Sequence, residues 1–404
     1  MKFYHSLPSY SKVVFRKMSR AVRQSQKAAP VCLPDVADYE PRKFLRCHGN
    51  SDDDGIKVWS CAFEPSPHKP GETGNILATC GRDTVCLIDV LTGKIMKRFK
   101  DPDKENFYSL AWTVLEQEGK CASILAVAGE GGAVKMIYPD QLVVYDVIRG
   151  HRRGINCLCF HSSEPRLLFS GSTDRSIMLW DIGLPGMKVV NHSPLLQINL
   201  SDMVGDPLSL MFSASSNTLV SATEKGCFGW ALGRVSHLAS SKDVIKTPKM
   251  SFQHPEDGCS LETIDGLVSL GGGFVATKRV GAGEILVWNL EEHMKSKAKN
   301  ISITPFVKLQ CSKTDVKYIS LGYSAGLLCL GDNEGKIYLY NLKDLPKTSM
   351  PLLKPSRVLE WPQVDNLKTD KEGEVVINTV AISSDHRFII GGTDNNLVCV
   401  WQQI

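Results

Sequence analysis

His151, Ser170 or Ser172, and Asp174 supply within one short segment the residue types of a nucleophilic triad. In such a triad the histidine takes the serine proton and the carboxylate fixes the histidine tautomer. Their spacing argues for a different use. They lie in GHRRGINCLCFHSSEPRLLFSGSTDRSIMLWDI, residues 150–182, where Asp174 stands in a turn and the last strand ends on Trp180. At these intervals His151, Ser170, Asp174 and Trp180 form a structural hydrogen-bond chain that ties the strands of one repeat. No nucleophile-elbow motif, phosphate loop or metal-ligand cluster accompanies them, so the reading is non-enzymatic, with no cofactor and no metal. A second set could do binding chemistry. Trp59, Tyr108 and Tyr318 are aromatic residues that the repeat pattern brings towards one place. A methylated ammonium has no strong donor, and ring faces attract it by about 0.5–2 kcal/mol each once water leaves. The same rings could instead pack or anchor a protein partner, and position alone leaves both uses open.

The elements that position these residues repeat along the chain. Residues 150–182 carry the WD-repeat signature: a Gly-His pair, three short apolar strands, an Asp-containing turn and Trp-Asp. Weaker copies stand at 76–90, 125–139, 219–232, 274–290, 327–342 and 388–404. Each has an apolar strand, a Gly, Asp or Asn turn, and an alternating strand. The expected fold is an all-β, seven-bladed propeller over 41–404. Its last blade lacks an outer strand, which residues 42–48 (RKFLRCH) can supply, so the ring closes through its N-terminal segment and leaves only short edges. Phe44 to Cys47 should then be ordered. Polar insertions at 233–258, 291–304, 343–356 and 362–374 read as loops, either solvated or in contact with partners. Inner strands align on Phe63, Trp112, Phe160, Phe212, Leu321 and Ile382. Four positions earlier, at the channel rim, stand Trp59, Tyr108, Asn156, Leu208, Lys317 and Asn378, with Tyr318 beside Lys317.

Composition bounds the function classes. A net charge of +4 over 404 residues does not predict duplex binding by bulk electrostatics. The 13 cysteines form no C-x-x-C pair, and many sit in apolar runs, as buried free thiols do. An odd count without a secretory signal points to a reducing compartment. No stretch is apolar for long enough to span a membrane. Residues 1–40 form a separate basic segment with no acid before Asp35. It reads as a linker, an arm for nucleic acid or an acidic tail, or an organelle presequence.

Two resemblances are specific. DKENFYSLAWTV (103–114) and ILAVAGEGGAVKMI (124–137) resemble the second blade of the Polycomb WD-repeat subunit EED, and 150–182 resembles its third. That family reads trimethyl-lysine on histone tails through an aromatic cage. By local match the cage falls on Trp59, Tyr108, Lys317 and Tyr318. Lys317 stands where the family has Trp, so its ammonium must swing out for a methylated lysine to enter. Asn378 stands where the family has Arg. From residue 41 onward the motifs FLRCH, WSCAFEPS, ATCGRDTVCLIDVLTG, WDIGLPG, LCLGDNEGKIYLYNL and VLEWPQ resemble a second family. This is the leucine-rich-repeat and WD-repeat family associated with the origin recognition complex. No L-x-x-L-x-L pattern appears in this chain. The resemblance implies a nuclear chromatin adaptor, at heterochromatin, centromeres and telomeres, in support of replication initiation. Its partners would be origin recognition complex subunits and trimethylated histone tails, with no small-molecule substrate and no sequence-specific DNA binding. A Polycomb-type methyltransferase subunit and a general WD-repeat scaffold are the alternatives.

Overall fold

The computed structural model describes residues 33–49, 55–117, 119–184, 192–232, 243–245, 250–255, 262–296, 298–343, 352–362 and 375–404. The chain divides into units 1–31 and 32–404, and every described residue belongs to the second. The basic stretch at 1–32 lies outside the described residues.

Seven antiparallel sheets follow one another along the chain, and each of their four-stranded cores is one blade. Blade 3 consists of Ile155–Phe160, Leu167–Ser172, Ser176–Asp181 and Ser193–Asn199. Middle strands such as Leu167–Ser172 are buried at every position, because both faces pack against neighbouring blades. The innermost strands contact one another in a closed ring, from Ser60–Pro65 round to Ile377–Ile382. The core therefore lies in seven wedges, one between each pair of blades. Between blades 3 and 4, Phe169, Leu179 and Ile198 meet Leu210, Phe212 and Trp230. Each such side chain contributes about 1.5–3 kcal/mol by leaving water.

The seventh blade is built from both ends of the propeller. Tyr39–Arg46 pairs antiparallel with Leu397–Gln403, with Phe44 opposite Cys399 and Leu45 opposite Val398. The closing strand expected at 42–48 thus starts earlier, at Tyr39. Residues 33–38 continue ahead of it, where Asp35 and Asp38 both pair with Arg357 of blade 6. Three of the expected polar loops turn out to hold edge strands of their own. Asn300–Ser302 and Leu352–Leu353 add in parallel to the outer strands of blades 4 and 5, and Asp243–Ile245 adds to blade 3. They are too short to show a two-residue apolar alternation, so sequence reading takes them for connections.

Candidate functional site

The trio from blade 3 is assembled as scaffold. His151 Nδ1 lies 3.1 Å from Asp174 Oδ2, and its Nε2 lies 2.7 Å from Ser170 Oγ. Trp180 Nε1 donates to the same Ser170 oxygen at 2.9 Å. Ser172 is not in this chain: its hydroxyl donates to the Arg153 carbonyl and accepts the Asp174 amide. Ser176, which sequence reading passes over, donates to Asp174 at 2.6 Å. Burial pushes the Asp174 carboxyl upward. Hydrogen bonds from His151, Ser176 and the Arg152 amide outweigh it and hold that carboxyl well below the usual range. Ser170 is fully buried, so no substrate reaches its hydroxyl. Parts of the chain recur elsewhere: His48 Nε2 meets Thr79 Oγ1 at 3.1 Å, and Trp288 Nε1 donates to Thr277 Oγ1 at 3.2 Å.

The aromatic set converges. Trp59 stands edge-on to Tyr108, with centroids 5.9 Å apart, and edge-on to Tyr318, at 6.0 Å. These rings line a cavity of about 440 Å³ at the mouth of the central channel, together with Asn156, Leu208 and Asp265. Strand register explains the convergence. A bulge precedes Ser109, Cys157, Ser209, Gly266 and Thr379 in five inner strands. It releases Tyr108, Asn156, Leu208, Asp265 and Asn378 from pairing, and bulges re-aim side chains. Asn378 is almost wholly buried and does not line the cavity. Asn156 lines it, and its amide donates to the Pro207 carbonyl at 3.1 Å.

Two blades differ from the alignment read from sequence. In blade 6, Tyr323 pairs with Leu328, as Phe160 pairs with Leu168 in blade 3. The anchor is therefore Tyr323 and not Leu321, and the rim position falls on the buried Ile319 and not on Lys317. Tyr318 reaches the mouth through a left-handed backbone, φ 70°. Lys317 does not line the cavity; its ammonium lies 3.8 Å from Glu224. In blade 5 the anchor is polar Ser269, which pairs with Val275, so an apolar search finds nothing there. Its rim residue is Asp265. That carboxylate is buried with Lys278, whose Nζ is 2.9 Å away, and it accepts the Ile319 amide.

Both carboxylates and ammonium groups stand around the mouth. Burial raises the Tyr108 and Tyr318 hydroxyls above their usual range; Glu130 and Glu105 add to the first, and Glu224, Asp206 and Asp265 to the second. Lys57 Nζ lies 5.3 Å from the Trp59 ring centroid, so this indole already receives an ammonium of the chain itself. Among the described residues no group of three or more His, Cys, Asp or Glu is placed to hold a metal ion, and no helix is long and apolar enough to cross a membrane.

The chain is 32% identical over 393 residues to the leucine-rich repeat and WD repeat-containing protein 1 of Xenopus laevis, covering 90% of this chain and 53% of that one. It is 33% identical to the Homo sapiens protein of that name, covering 90% and 57%. It therefore spans just over half the length of these relatives. The Polycomb protein esc of Drosophila melanogaster is 23% identical over 315 residues, covering 71% and 70%. A chain of the Chaetomium thermophilum polycomb repressive complex 2 shares the fold, with a TM-score of 0.71 at 14% identity over 90% of this chain and 98% of that one. The family model for the WD domain of leucine-rich repeat and WD repeat-containing protein 1 matches residues 34–404, and the chain belongs to that family.

Proposed function

We propose that the mouth of the central channel reads trimethylated lysine on histone tails, and that the domain joins such tails to the origin recognition complex as a nuclear chromatin adaptor. The observation that carries this reading is Trp59 flanked edge-on by Tyr108 and Tyr318 above a cavity of about 440 Å³. A trimethylammonium carries no N–H, so acceptors cannot grip it, whereas converging rings can. The charge of Lys317 is offset by Glu224, and Glu130 near Tyr108 and Asp206 near Tyr318 favour a cation there. The distant likeness to Polycomb proteins supports a chromatin setting; one solved complex that contains a chain of this fold holds H3K27me3 and H3K27M. The origin recognition complex, and placement at centromeric and telomeric heterochromatin, rest on the family resemblance.

The test is binding of the purified chain to trimethylated and unmodified histone-tail peptides, beside Trp59→Ala/Tyr108→Ala. The expected result is a preference for the trimethylated peptide, lost in a variant that melts at the same temperature. Equal binding of all peptides overturns the reader. Failure of the purified origin recognition complex to be retained on the immobilised chain overturns the adaptor.

A further inference from the structure

We infer that the outer edge of blade 1, strand Lys94–Lys100, docks an acidic, extended polypeptide segment of a partner protein, which adds to the blade as a fifth strand. The fold uses this device on itself. The connection between the third and fourth strands of blades 4, 5 and 6 runs back to the preceding blade and pairs in parallel with its outer strand. Residues 33–38 stand in the same place relative to blade 6, where Asp35 and Asp38 reach Arg357. In blades 1 and 2 the corresponding connections are tight turns, between Asp89 and Lys94 and between Tyr138 and Val143. Too short to reach back, they leave Tyr39–Arg46 and Lys94–Lys100 as terminal strands of their sheets among the described residues.

Both of these edges are basic, whereas Val143–Arg149, also terminal in its sheet among the described residues, carries Asp146 and a single arginine. Tyr39–Arg46 carries Arg42, Lys43 and Arg46, and Lys94–Lys100 carries Lys94, Lys97, Arg98 and Lys100 with no acid. They adjoin, since Arg98 donates to the Arg46 carbonyl at 3.4 Å. Pro41 interrupts the first as a pairing template, whereas the second holds no proline. Its exposed face is Lys94, Met96, Arg98 and Lys100, beside exposed Leu91. Alternate residues of a strand recur about every 6.6–6.8 Å. An extended segment with carboxylates at every second position has the same repeat, so backbone pairing and charge pairing share one register. The exposed Leu91 and Met96, with no exposed aromatic ring on the strand for bases to stack on, favour a polypeptide over a nucleic acid. Edge lysines also keep two copies of a protein apart; the electrostatics that repels a second basic edge admits an acidic one.

The probe is an alternating Glu-Val decapeptide, followed by fluorescence anisotropy and amide hydrogen exchange, beside an alternating Lys-Val peptide and a single-stranded oligonucleotide. The expected result is binding of the acidic peptide with slowed exchange at 94–100, weakened roughly tenfold or more by Arg98→Glu/Lys100→Glu. Lys94→Gln/Lys100→Gln carries the same test should charge reversal impair folding. Peptide binding without protection of 94–100, undiminished binding by the variants, displacement of the peptide by the oligonucleotide, or a variant whose only change is self-association each overturns the proposal.

Discussion

Asp174 gives blade 3 its acid sensitivity. Its carboxyl titrates well below the usual range in the folded chain, so its stabilising contribution is present above the unfolded value of about 4, begins to decline there, and is lost as pH falls through the much lower folded value. Asp174→Ala should lower stability by about 2–3 kcal/mol at pH 7, and the gap between variant and parent should narrow below about pH 4; denaturant melts across pH check this. Lys317 belongs to the same scale. It sits in the loop ahead of a short inner strand and pairs with Glu224, outside the cavity lining. Lys317→Trp should tighten trimethyl-lysine peptide binding by about 0.5–2 kcal/mol if the indole joins the other rings, measured by calorimetry. Trp59 and Tyr108 were legible in the sequence because their blades hold the apolar anchors Phe63 and Trp112. Asp265 was not, because its blade anchors on a serine, and the rim position of blade 6 was misplaced because Leu321 stands two residues before the true anchor.

At the scale of elements, repeat spacing made the strands that define the blades legible, since each carries an apolar run and a turn. The added strands escaped notice. A pair such as Leu352–Leu353 has no periodicity, and what makes it a strand is the open edge of another blade, which sequence does not display. The closing strand is intermediate: its apolar Phe44 and Leu45 were visible, but its start at Tyr39 depends on pairing with Gln403. Phe44 packs edge-on to Trp361 at 5.7 Å and is half-buried. Phe44→Ala should therefore cost about 2 kcal/mol, read as a lower denaturation midpoint with an unchanged slope.

The whole molecule depends on ring closure. Removing residues 1–46 would strip blade 7 of its outer strand and bare the edge of Leu397–Gln403. Such a chain should melt at a lower temperature and associate as concentration rises, which light scattering would show; a monomer with an unchanged melt would contradict the closure. Closure also gathers residues from blades 1, 2 and 6 into one mouth, a juxtaposition that spacing alone implied only through the order of blades in a ring. In the proposed function this mouth attracts a cation through its rings. The direct measurement compares a histone peptide carrying trimethyl-lysine with one carrying its uncharged carbon isostere, the same shape without the positive charge. The charged peptide should bind tighter by at least about 0.5–2 kcal/mol, with the difference abolished in Trp59→Ala/Tyr108→Ala. Equal affinity for the two peptides would contradict it.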